Sequence, residues 1–152
     1  MMEAGTSMVI QMAVQTVAAF LAIFGFAIIL DAPKKFLYYA GTAGGVGWLA
    51  YLLTLEMAGS MIMGAFFSSL AAAVLSHMFA RILKAPVTVF LVAGILPTVP
   101  GASIYRCVYS LIRGQNTLSN LYLIQTIQIA GGMALGIFIV DSLFRLIKKK
   151  TV

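Results

Sequence analysis

Charged residues divide the chain into five long apolar runs. Residues 4–30, 36–55, 57–80, 85–105 and 114–140 contain no Asp, Glu, Lys or Arg, and each run is 20 to 27 residues long. A helix needs about 20 apolar residues to cross a hydrocarbon core of roughly 30 Å. Backbone in lipid must satisfy its own hydrogen bonds, so such runs fold as helices. The pattern predicts an all-α integral membrane protein with five transmembrane helices. It forms one domain over residues 1–152, with helices at about 8–30, 36–55, 57–80, 85–112 and 118–144.

Polar and small residues within the runs have their own order. Gln11 and Gln15 lie four apart on the first helix, and Asp31-Ala-Pro33 ends it. The second helix carries Gly41, Gly44, Gly45 and Gly47, and Glu56 closes it. On the third, Ser60, Gly64, Ser68, Ala72 and Ser76 recur every four residues. Residues four apart share a helix face, and a column of small side chains is a helix–helix contact surface in lipid. The fifth helix repeats the idea with Gln125, Gln128, Gly132 and Gly136, a stripe expected to face protein.

Composition agrees with the pattern. The chain is 62% hydrophobic and 9% charged, with a mean hydropathy of +1.04; a soluble domain is nearer half apolar and a quarter charged. Five spans use nearly all of the 152 residues, so chemistry must sit among the helices or at their ends. The net charge of +6 suggests nucleic acid until its placement is read. Lys34, Lys35, Arg81, Lys84, Arg145, Lys148, Lys149 and Lys150 all fall on one side if every run crosses, and Arg113 on the other, with Arg106 set aside. The positive-inside rule then puts the N-terminus outside and the C-terminus in the cytoplasm. The terminal lysines are expected to hold the last helix at anionic lipid. The opening MMEAGTSM lacks a basic n-region, so the first run reads as a retained helix.

Enzyme chemistry is not expected. Gly-x-Ser-x-Gly, His-Glu-x-x-His and the P-loop are absent from the sequence. One histidine, His77, and one cysteine, Cys107, cannot assemble a disulfide or a cysteine-based metal site. No cofactor is implied.

The most specific local feature is Leu96-Pro97-Thr98-Val99-Pro100-Gly101. Each proline removes a backbone donor and clashes with the preceding turn. The carbonyls of Ala93 and Leu96 are expected to lose their helical partners. Such a break survives in lipid only where protein or a wet cavity surrounds it. Transporters use broken helices so that freed carbonyls meet cations and a new helix N-terminus meets an anion. The plainer reading is a kink whose groups find local partners.

Arg106 follows the break and shares a face with Ser110 and Arg113. A buried arginine is a functional candidate, and its planar fork suits a carboxylate. Two other readings stay open: snorkelling to the outer surface, or pairing with Glu56. Tyr105 and Tyr109 either line a path or join an interfacial aromatic belt. Glu56 is a candidate proton or ion relay. Asp141 is expected to pair with Arg145 four residues on, and His77 reads as an interfacial histidine near Arg81.

Over Gly94-Ile-Leu-Pro97-Thr-Val-Pro100-Gly101-Ala-Ser-Ile-Tyr105 the chain resembles the small membrane component of the threonine/serine exporter family, which includes proteins implicated in succinate export. The resemblance implies a bacterial inner-membrane exporter of small carboxylate-bearing metabolites, driven by an ion gradient. It implies a larger membrane partner with its own five helices. It also implies that Pro97, Pro100, Gly101 and Tyr105 belong to the substrate path; Arg106 joins them on the burial argument alone. Two rival functions are a non-transporting scaffold for the partner and a homo-oligomeric channel.

Overall fold

The computed structural model describes residues 2–149, with side chains over 7–147. The side chains of Glu3, Lys148 and Lys149, and Lys150 as a whole, lie outside that description. Six helices are present among the described residues: α1 Met2–Ile29, α2 Leu37–Ala58, α3 Met61–Leu83, α4 Val87–Ile95, α5 Gly101–Ile112 and α6 Asn116–Lys149.

Local chemistry sets most of the boundaries. Asp31 adopts φ 54°, and Pro33 leads into a single 3-10 turn over Lys34–Phe36. The turn between α2 and α3 lies at Gly59 and Ser60, later than Glu56, where the charge pattern had put it. Gly59 takes φ +60°, the left-handed conformation that ends a helix. Ser60 caps α3 by accepting from the Met63 amide. A lone acidic residue does not terminate a helix, and Glu56 lies inside α2. Ser60 is therefore a cap and leaves the small-residue column, which begins at Gly64. The expected fourth helix, 85–112, is two helices, α4 and α5, bent by 52° across the prolines.

Neighbouring contacts give each helix a direction. Tyr51 meets Gly64 and Tyr39 meets Phe79, so α2 and α3 are antiparallel. Gly94 meets Ala72 and Phe90 meets Phe79, so α4 runs back against α3. Met61 meets Gln125, His77 meets Asp141 and Arg81 meets Phe144, so α6 runs parallel to α3. Helices α2 and α3 are central; α1 lies on α2, α6 on α3, and α4 against both central helices. Helix α5 leaves this group and packs along the start of α6, where the Ser119 hydroxyl donates to the Cys107 carbonyl at 3.0 Å. Lys34, Lys35, Arg81, Lys84 and Arg145 thus gather at one end of the bundle.

Among the described residues, three helices are long and apolar enough to cross a bilayer: Ser7–Ile29, Met61–Leu83 and Asn116–Ile147. A fourth appears if α4 and α5 count as one bent span. Helix α2, with 22 residues, reaches about 33 Å at 1.5 Å per residue. It carries four glycines together with Tyr38, Tyr39, Trp48 and Tyr51.

The interior is built from small side chains. Ala40, Ala43, Gly44 and Gly47 of α2 are buried, as are Gly64, Ser68, Ala72 and Ser76 of α3. In lipid, helices associate by close packing because tails are as apolar as leucine. The tightest contact lies between α3 and α6. A Cβ on Gly136 would come 2.7 Å from the Phe66 carbonyl oxygen, and one on Gly132 would come 3.2 Å from that of Ile62. The buried stripe of α6 is Ile129, Gly132, Met133, Gly136 and Val140. Gln128 is exposed and departs from the expected stripe, whereas Gln125 is half-buried and faces Met61 of α3.

Candidate functional site: a pocket at the helix break

The two prolines open the helix, and most of the freed groups find partners nearby. The Leu96 amide donates to Ala93, and the Leu96 carbonyl accepts from Val99 at 3.3 Å. The Thr98 hydroxyl donates to the Ile95 carbonyl at 2.9 Å. The carbonyls of Ala93 and Leu96, expected to stand free, are satisfied by tighter 3-10 bonds. The break instead leaves the start of α5. The Gly101 amide donates to the Val99 carbonyl at 2.7 Å. The next amides, of Ala102 and Ser103, lack intrahelical acceptors, and Pro100 precedes the helix without a side-chain cap.

That helix start borders a pocket of about 240 Å³. Trp48 and Tyr51 of α2 form one wall, and Gln125 and Ile129 of α6 another. Met61, Pro97 to Pro100, Ala102, Ser103 and Arg106 complete it. Trp48 stacks on Tyr51 with 5.1 Å between ring centroids. Gln125 donates to the Met61 sulfur at 3.3 Å, and the Arg106 guanidinium lies 5.9 Å from the Tyr122 ring centroid. A second cavity of about 330 Å³ lies on the α1 side, lined by Gln15, Ala18, Ala19, Ala22, Trp48 and Pro97. Trp48 and Pro97 border both cavities.

Of the residues singled out in the sequence, the fold brings Pro97, Pro100 and Arg106 into one pocket. Gly101 opens α5 beside it, with no atom within 4 Å of where its Cβ would be. Tyr105 is outside the pocket lining: it is 67% exposed and stacks on Tyr109 with centroids 6.0 Å apart. Arg106 is exposed within this chain, so its burial is not supplied by its own helices. Glu56 is also exposed. Among the described residues the carboxylate contacts are Arg145–Asp141 and His77–Asp141, so Arg106 and Glu56 do not pair.

Sequence reasoning missed Trp48, Tyr51 and Ser103. Trp48 is the chain's only tryptophan and lies three residues before Tyr51 on a glycine-rich helix. That was a usable signal, since residues three apart share a face. Gln125 was noticed only as part of a packing stripe.

The lining can recognise an oxyanion. An arginine fork pairs with two carboxylate oxygens, and a helix N-terminus adds donors and positive potential. Gln125, Ser103, Tyr51 and Trp48 supply neutral hydrogen-bonding groups around it.

No solved structure matches this chain. The family model described as Threonine/Serine exporter, ThrE matches residues 15–143. The matched residues run from the first helix into the last and contain the break and its pocket. The chain is a multi-pass membrane protein of transport and belongs to the threonine/serine exporter family.

Proposed function

We propose that this chain is one part of a two-component secondary exporter that moves threonine, serine or a related small carboxylate out of a bacterial cell across the inner membrane. The observation that carries this reading is the pocket where the α4–α5 break, Arg106 and Gln125 converge. The substrate carboxylate sits on Arg106 and the first amides of α5. Gln125, Ser103 and Tyr51 surround its polar remainder. Pro97, Pro100 and Gly101 shape the break, Tyr105 extends the path on the outer face of α5, and Glu56 stands as a relay for the coupling ion.

The chain crosses five times in this proposal. Helix directions alternate through α1, α2, α3, the bent α4–α5 pair and α6, which supports the count. The N-terminus is outside in this proposal; the basic residues gathered at the other end support a cytoplasmic side there by the positive-inside rule.

A larger membrane partner completes the path. Its support is the exposure of the pocket arginine and of Ile104, Tyr105 and Val108 on α5. Covering these residues would dry the site and strengthen the arginine–carboxylate pair.

The test is export of threonine, serine and succinate from loaded cells. The strains express this chain alone, the chain with the larger component, and the pair carrying Arg106→Ala. Export requiring both components, and lost in Arg106→Ala at unchanged protein level, supports the proposal. Export by the chain alone shifts the reading to a homo-oligomeric channel. Loss of partner abundance with unchanged flux per complex shifts it to a scaffold.

A further inference from the structure

The opposite end of the bundle holds a second polar cluster that the exporter reading does not use. His77 on α3 lies 3.6 Å from the Asp141 carboxylate on α6, although 64 residues separate them in sequence. Arg145 Nε holds the other oxygen of Asp141 at 2.7 Å. The Phe144 ring is a splint between two side chains: His77 stacks on it with centroids 4.6 Å apart, and the Arg81 guanidinium lies 4.6 Å from its centroid. Arg81 also donates to the Phe144 carbonyl at 3.3 Å. His77, Arg81, Phe144 and Arg145 line a pocket of about 260 Å³, closed by Ala80, Ala85 and Val87.

We propose that this pocket binds the phosphate of an anionic phospholipid. Arg81 and Arg145 both line the pocket, and only Arg145 is paired, with Asp141 outside the lining, which leaves the lining net positive before His77 is counted. Val87 starts α4 behind Pro86, with no side-chain cap on the helix, so its unpaired first amides add positive potential at the rim. Arginine donors held by a ring and a carbonyl are preorganised for a phosphate oxygen, which they meet as a fork.

The apolar part of the cluster selects a lipid over a free phosphate. Ala80, Ala85, Val87 and Phe144 line the pocket. Ile82 and Leu146, each next to one of the arginines, are 69% and 65% exposed. An amphiphile with an anionic head and acyl chains satisfies both sets of groups. Basic pockets between helices at the cytoplasmic side are suited to such heads. The inference depends neither on the transported substrate nor on the pocket at the break.

The test is native mass spectrometry of the full chain, released from detergent and titrated with phosphatidylglycerol, phosphatidylcholine or inorganic phosphate. Phosphatidylglycerol is expected to bind about tenfold more tightly than phosphatidylcholine, with the preference falling to about twofold in Arg81→Gln and Arg145→Gln. Replacing Lys148, Lys149 and Lys150 together by Gln is expected to preserve it. Arg145→Gln decides if Arg81→Gln fails to fold, because the Arg145 side chain is 80% exposed. Equal binding of the two lipids overturns the proposal, as does a preference unchanged in both arginine variants or abolished only by the lysine replacements. Inorganic phosphate displacing the lipid at equal concentration overturns the assignment to a lipid and leaves a site for a free oxyanion.

Discussion

The α3–α6 contact and the α4–α5 break solve opposite problems with the same residue type. At the contact, Gly136 brings the α6 backbone against the Phe66 carbonyl, where a Cβ would stand 2.7 Å from oxygen. At the break, Gly101 has open space where its Cβ would be. One glycine permits two backbones to touch; the other follows a proline where a helix restarts beside a pocket. The difference separates what holds the protein together from what it presents to solute. Close contact is concentrated where glycines let α3 and α6 meet, and the pocket at the break lies where Gly101 meets open space.

The comparison is sharpest under substitution. The largest effect is expected for Gly136→Leu, which must push α6 away from α3. Overpacking of this kind costs about 1–3 kcal/mol, and occasionally more. It should appear as reduced yield and a lowered melting temperature in detergent.

Arg106→Ala tests the other region. Hydrogen bonds to charged groups are worth about 1.5–3 kcal/mol, so export should fall roughly tenfold to a hundredfold with an unchanged melting temperature. Arg106→Lys should recover only part of this, because an ammonium lacks the fork. Equal melting-temperature losses in Arg106→Ala and Gly136→Leu would erase the distinction between the two regions.

A smaller effect of opposite sign is expected at Ser68. It is fully buried, and its hydroxyl is the one buried side-chain polar atom without a hydrogen-bond partner among the described residues. Ser68→Ala removes that uncompensated group and should stabilise the bundle by about 1 kcal/mol, measurable by thermal unfolding. The smallest effect is expected for Gly101→Ala, which should leave the melting temperature within the range of about 0.5 kcal/mol typical of surface changes. A large loss of stability there would show that the start of α5 is as tightly built as the α3–α6 contact.

Parts of this arrangement were legible beforehand. The column Gly64, Ser68, Ala72 and Ser76 could be read because small residues four apart have little other use in an apolar helix. The break could be read because proline has no amide hydrogen. What escaped was how the break is repaired. The Thr98 hydroxyl and the 3-10 bonds after Ala93 depend on φ and ψ values that proline restricts without fixing. The turn at Gly59 was misplaced because charge was taken as the terminator where backbone conformation acts. His77 and Asp141 were read as separate helix-end residues, because nothing local to either names a partner 64 positions away.

Residue order alone specifies a helical membrane protein, basic residues at one end, and a helix interrupted at Pro97 and Pro100. Each of these follows from spacing along the chain: the length of apolar runs, the placement of charge, and a missing donor. The packed bundle is what sets α6 beside α3 in the same direction and brings Trp48, Tyr51, Arg106 and Gln125 into one pocket. It alone left Tyr105 outside that pocket. Those outcomes depend on which helix faces meet. That choice is made by close packing among many small side chains, a sum over neighbours distant in sequence.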